Sequence, residues 1–137
     1  MSRKTNGPME TRVLIDSNVY IGFLRKGEDP IVKLEEKVSL LDVVCCGVVK
    51  AEVMRGIKSV RLRARLGHFF SITQMVGTSA RLWDEVWQLA WKLDRQGSVL
   101  PLTDIIIASC ALREGAAVMT SDRHFEQIPG LRVIRPD

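Results

Sequence analysis

Four carboxylic acids fall where the chain changes from one kind of structure to another. Asp16 follows the apolar run "RVLI", Glu52 sits in "KAEVMRG", Asp104 follows "PLT", and Asp122 follows "AVMTS". Brought within about 4 to 6 Å of one another, such groups repel, and they either take up protons or bind a cation. Hard oxygen ligands without His or Cys favour Mg²⁺ or Mn²⁺, ions that keep several waters. A divalent ion makes its water easier to deprotonate and neutralises charge developing on a phosphodiester. Hydrolysis by in-line water attack is the chemistry that suits this set.

Each acid also has a plainer reading. Asp16 and Asp122 fit as strand-end turn residues, and Asp104 fits as a first-turn complement to a helix dipole, an effect of about 0.3 to 1 kcal/mol. Glu52 can pair with Arg55 at i+3. Its same-face neighbours Val48, Val49 and Gly56 are apolar or small, however, which argues against a fully solvated Glu52.

The elements that must position these acids follow from periodicity. "RVLID" (12 to 16) reads as a buried strand rich in branched residues, and "SNVYIGFLRKG" switches to a helix with Ser17 as N-cap and Gly27 as its end. Pro30 opens a second helix, "PIVKLEEKV". "LLDVVCCG" is a strand, "VVKAEVMRGI" and "SVRLRARLGHF" are helices, and "FSITQM" is a third strand. A long helix capped by Thr78 or Ser79 runs to about Gln96, and Thr103 opens "DIIIASCALREG", which Gly115 ends. "AAVMTS" and "LRVIR" supply the last strands. Strands separated by helices of this length imply parallel pairing through right-handed crossovers. The expected fold class is therefore α/β, with a central parallel sheet of four or five strands.

The 137 residues suffice for one domain with a sizeable core. Hydrophobic residues at 46% and charged residues at 26% argue against disorder and against a coiled coil. A net charge of +4 suits a polyanionic partner such as RNA without requiring one. Cys45, Cys46 and Cys110 show no metal-binding spacing and read as buried, inert thiols in a reducing compartment. With no signal peptide and no membrane-length apolar run, a cytoplasmic location is expected. Residues 1 to 10 are polar and read as a flexible extension ahead of a domain over 11 to 137.

Taken together, "VLIDSNVYI", "KAEVMRG", "PLTDIIIASCA" and "VMTSDRHF" resemble the PIN-domain family, and more closely the small toxin-type ribonucleases called VapC. The resemblance covers about residues 12 to 135. It implies a three-layer α/β/α fold and an endoribonuclease whose catalytic acids are Asp16, Glu52, Asp104 and Asp122. Asp16, Asp104 and Asp122 would ligate Mg²⁺ or Mn²⁺, and Glu52 would either ligate through water or orient the attacking water. Cleavage would leave a 5′-phosphate and a 3′-hydroxyl. Asn18, Ser17, Thr120 and Ser121 match supporting polar positions. Where many relatives carry a further acid before the Phe of the last motif, this chain has His124, which leaves one or two metals open. A toxin of this type implies a cognate antitoxin, and a homodimer is expected.

Two features stand outside that pattern. Trp83, Trp87 and Trp91 recur at i, i+4, i+8 beside Leu82, Val86, Ala90 and Leu93; core is the default for such a face, with a homodimer or antitoxin interface as the alternative. Arg55, Lys58, Arg61, Arg63 and Arg65 form either a solvated face or contacts to RNA or an acidic partner. Rival functions differ in what they need. A haloacid-dehalogenase-type phosphoaspartate enzyme requires an acid two residues after Asp16, where Asn18 stands, and a receiver domain requires an acidic pair and a late Lys that are absent. A housekeeping RNA-processing nuclease and a PIN-like module that binds RNA or protein without cutting remain alternatives. Against the second stands the retention of all four acids.

Overall fold

Val13, Leu14 and Ile15 are buried on both sides, as a strand covered by helices on each face requires, and they form the central strand of the sheet. The computed structural model describes residues 12 to 137; the extension expected over residues 1 to 10 lies outside them. Five strands, β1 (Val13–Ile15), β2 (Val43–Cys46), β3 (Gln74–Val76), β4 (Ala117–Met119) and β5 (Val133–Ile134), pair in the order β3-β2-β1-β4-β5. Every pairing is parallel. Six helices cover the sheet in a three-layer α/β/α arrangement: α1 (Ser17–Arg25), α2 (Pro30–Glu35), α3 (Gly47–Arg55), α4 (Val60–Ile72), α5 (Ala80–Arg95) and α6 (Leu102–Glu114).

Local chemistry accounts for most boundaries. Asp29 accepts from the Ile31 N–H at the start of α2 and also from Arg65 Nε at 2.5 Å, which ties α2 to α4. Ser59 and Ser79 cap α4 and α5 through their hydroxyls. Gly115 closes α6 with φ at 65°, a left-handed conformation that glycine adopts without strain. All three cysteines are buried and unpaired, and burial pushes the Cys45 thiol up to about 12. No helix among the described residues is long and apolar enough to cross a membrane.

Three expectations are corrected. "FSITQM" is not a strand throughout: α4 continues to Ile72 because Leu66, Phe69 and Phe70 share its buried face, and only then does β3 begin at Gln74. Ser17 is not an N-cap; Asp16 takes that place, and Ser17 becomes the first helical residue with its hydroxyl free for another use. The tryptophans are not core. Trp83, Trp87 and Trp91 are 44%, 56% and 52% exposed, whereas Leu82, Val86 and Leu93 on the neighbouring stripe are buried. The reason is position in the stack. α5 packs chiefly on α6, which itself lies on β1 and β4, so α5 has only one covered face.

Candidate active site

β1 ends at Ile15, but its ladder does not, since the Asp16 N–H donates to the Met119 carbonyl at 2.9 Å. One strand over, the Thr120 N–H donates to the Ile134 carbonyl at 3.0 Å. Asp16 and Thr120 therefore leave the sheet side by side at the carboxyl ends of β1 and β4. These two strands flank the place where the winding reverses, with β2 and β3 laid down on one side and β5 on the other. Open α/β sheets hold ligands in such a crevice.

Thr120, fully buried, organises the residues there. Its hydroxyl donates to Asp16 Oδ2 at 2.8 Å and accepts from Asn18 Nδ2 at 3.3 Å and from the Asp122 N–H at 2.9 Å. Asn18 Oδ1 accepts from the Ser121 N–H at 3.4 Å. The Thr120 carbonyl accepts from Arg135, which also pairs with Glu126. Because the Asp16 side chain serves Thr120, it does not cap α1, and the Ser17 hydroxyl instead donates to Glu52 Oε1 at 2.8 Å. Glu52 is thus half-buried against α1 rather than paired with Arg55.

Asp104 enters from the first turn of α6. Its Oδ2 lies 3.8 Å from His124 Nδ1, and His124 Nδ1 lies 3.2 Å from Asp122 Oδ1. One ligand atom from each of Asp104, Asp122 and His124 falls within 4.8 Å of the other two, close enough to share an ion. Asp122 is held by its own turn, accepting from the His124 N–H at 2.9 Å.

The electrostatics show how crowded the acids are. Burial raises the Asp16 pKa, the Thr120 hydroxyl partly offsets that, and the charges of Glu52 and Asp122 add to the rise. Asp104 is pushed up to about 6, first by burial and then by the charges of Asp16 and Asp122, with His124 opposing and Glu52 adding. Each of the four acids is therefore felt by Asp104 or is Asp104 itself. A cation placed among them would relieve this repulsion. Carboxylate oxygens are the donors that suit Mg²⁺ and Mn²⁺, so the residues present fit such an ion, and the His124 imidazole adds a nitrogen donor that Mn²⁺ accepts more readily.

The structure brings Asp16, Glu52, Asp104 and Asp122 together with Ser17, Asn18, Thr120 and Ser121. It does not bring in the basic run. Arg55, Lys58, Arg61, Arg63 and Arg65 are exposed on α3, α4 and the segment between them, and Arg65 is engaged by Asp29. Two residues contribute more than the sequence pattern assigns them. His124 takes the place of an acid in the last motif, yet an imidazole two residues after Asp122 is itself a ligand type; Thr120 is one polar neighbour among several in the sequence, and nothing local marks it as the hub.

A family model for the PIN domain matches residues 13–131, and the chain belongs to that family. It is similar to Ribonuclease VapC2 of Rickettsia felis, 25% identical over 124 residues that cover 86% of this chain and 92% of that protein. Among solved structures it resembles a chain of DNA-bound VapBC from Salmonella typhimurium, with a TM-score of 0.75 at 23% identity over 92% of this chain and 98% of that one. It also resembles a chain of a toxin–antitoxin complex from Klebsiella pneumoniae, with a TM-score of 0.66 at 25% identity over 91% and 97%.

Proposed function

We propose that this chain is a cytoplasmic, metal-dependent endoribonuclease of the VapC type, the toxin of a toxin–antitoxin pair. The observation that carries the reading is the convergence of Asp104, Asp122 and His124, whose ligand atoms lie within 4.8 Å of one another, beside Asp16 at the sheet's switch point; burial first, and then the charges of Asp16 and Asp122, push Asp104 up to about 6. Asp16, Asp104 and Asp122 would hold Mg²⁺ or Mn²⁺, with His124 as an additional donor. When bound, the ion supplies charge neutralisation at the phosphodiester and a more acidic water. Thr120 fixes the Asp16 carboxylate, and Ser17 fixes one oxygen of Glu52, leaving the other to orient the attacking water.

Two partners belong to this reading. An antitoxin segment suits the apolar cleft of about 480 Å³ between α2 and α4, where Ile31, Leu40, Phe69 and Ile72 meet Arg65 and His68. A second copy of the chain suits the tryptophan face of α5. The first half of that helix carries Arg81, Asp84 and Glu85, and its last turns carry Lys92, Asp94 and Arg95. Two copies crossing antiparallel would set a net acidic end against a net basic one.

Purified protein should cleave RNA with Mg²⁺ or Mn²⁺ and not with EDTA, leaving 5′-phosphate and 3′-hydroxyl ends, and Asp16→Asn should lower the rate by at least about a hundredfold, the scale of losing a key electrostatic group. Expression without a partner should arrest bacterial growth, and Asp16→Asn should relieve the arrest. Cleavage without arrest would favour a housekeeping nuclease, and RNA binding without cleavage a non-catalytic module.

A further inference from the structure

The acid cluster opposes the substrate it would cut. Four carboxylates repel a polyanion, so the contacts that hold an RNA strand must come from cations outside the cluster that still reach the same strand. A cleft among the described residues meets that condition. A cavity of about 350 Å³ adjoins the site and shares Asn18 and Ser121 with it. Its apolar lining is Val19, Gly22, Phe23 and Pro136, and Lys26, Lys33 and Lys37 supply positive charge. Lys33 is occupied, 3.8 Å from Glu28 and 3.4 Å from Glu36. Among the described residues, the ammonium groups of Lys26 and Lys37 make no ion pair and no side-chain hydrogen bond, and both residues are exposed. With Glu28 taken up by Lys33, Asp137 is the acid that remains against two free lysines.

Gly22 gives the independent observation. It lies inside α1, where glycine weakens a helix relative to alanine. Its φ is not positive, and a Cβ built there would meet nothing within 4 Å. Neither the backbone nor the packing of the chain calls for glycine at this position. Its effect is to keep the cleft open beside Asn18.

Resting on the ribonuclease reading, we propose that this cleft is the track for single-stranded RNA flanking the scissile phosphodiester. Lys26 and Lys37 contact phosphates, and the space over Gly22, bounded by Val19 and Phe23, admits a sugar and base. An unpaired strand fits because its bases can turn toward the apolar lining, which paired bases cannot do. The α4 arginines are then not part of the substrate path.

The test is fluorescence anisotropy of a short labelled single-stranded RNA in EDTA, titrated at several salt concentrations. Lys26→Ala combined with Lys37→Ala should weaken binding on the order of tenfold at low salt and lower the salt slope by about 1.4, at about 0.7 for each lost phosphate contact. Gly22→Glu should weaken binding comparably while the melting temperature holds or rises, since the variant improves helix propensity. Arg61→Ala with Arg63→Ala should leave the slope unchanged. Wild-type affinity and slope in the lysine double variant would overturn the proposal, and so would a wild type that binds no RNA. A double variant that loses a poly-glutamate peptide but keeps RNA would reassign the cleft to an acidic protein segment. Cleavage is measured separately with Mg²⁺. Lysine-dependent binding without cleavage would overturn the nuclease reading and leave the RNA track standing.

Discussion

The Thr120 hydroxyl has one proton and two lone pairs, and all three are committed, to Asp16, Asn18 and the Asp122 N–H. It is therefore the residue through which β1 and the turn after β4 are held in one geometry. Thr120→Val keeps the shape and removes the hydroxyl, leaving a buried carboxylate and a backbone N–H short of a partner, at a cost of about 1 to 3 kcal/mol. Asp16 also loses the bond that offsets its raised pKa, so the carboxylate should ionise less readily and the metal should bind more weakly. Thr120→Ser keeps the hydroxyl and loses one methyl, worth about 0.8 kcal/mol. Thermal melts and Mg²⁺-dependent cleavage of the two variants should separate, with Ser near wild type in activity and Val far below it. Equal losses in both would assign Thr120 to packing alone.

At the scale of the element, α5 is the clearest case of a face without a partner inside the chain. Its buried stripe is used up on α6, and its other stripe presents three indoles to solvent, partly decorated by the Trp87 Nε1 to Asp84 bond at 3.2 Å and by Arg95 stacked 4.4 Å from the Trp91 ring centre. Exposed Trp at helical spacing is costly unless covered, and Trp is enriched where interfaces concentrate their binding energy. Sedimentation at tens of micromolar should therefore show a dimer. Trp87→Glu should shift it toward monomer by placing a charge at the centre of the contact, a loss of at least about 2 kcal/mol in association if Trp87 is a hot spot. A wild type that sediments as a monomer would remove the second copy as the occupant of this face.

For the molecule as a whole, the acid cluster sets stability against pH and metal. Burial, and then the charges of Asp16 and Asp122, push Asp104 up to about 6 in the folded chain, against about 3.9 when unfolded. Its folded value is raised, so its contribution is fully present below about pH 4 and is lost as pH rises through about 6. In EDTA the wild type should thus lose, relative to Asp104→Asn, on the order of 2 kcal/mol between pH 4 and pH 7. At neutral pH the variant should be the more stable protein. Mg²⁺ reverses the order: for a Kd of about 1 mM and about 10 mM ion, linkage adds roughly 1.4 kcal/mol, on the order of 5 °C in Tm. The variant should gain little. Parallel melts with EDTA and with Mg²⁺ read all of this, and equal metal responses in the two proteins would leave Asp104 as a helix-dipole complement only.

The strand order could not be read from sequence, but the parallel α/β class could, because short apolar runs such as "VLI" and "VVCC" separated by helical stretches permit few other arrangements. The acids were legible for the same reason: Asp16 and Asp122 end apolar runs, and the ends of parallel strands share one edge. Contacts between residues distant in the sequence were not. Thr120 meets Asp16, Asn18 meets Thr120, and His124 meets Asp104 only because β4 pairs beside β1 and α6 lies on both, and local pattern carries no record of such pairings. The same limit explains α5. Periodicity showed two apolar stripes, and how many of them the molecule would cover depended on whether the helix lay on the sheet or on another helix. That choice, like the open cleft at Gly22, was made by tertiary packing.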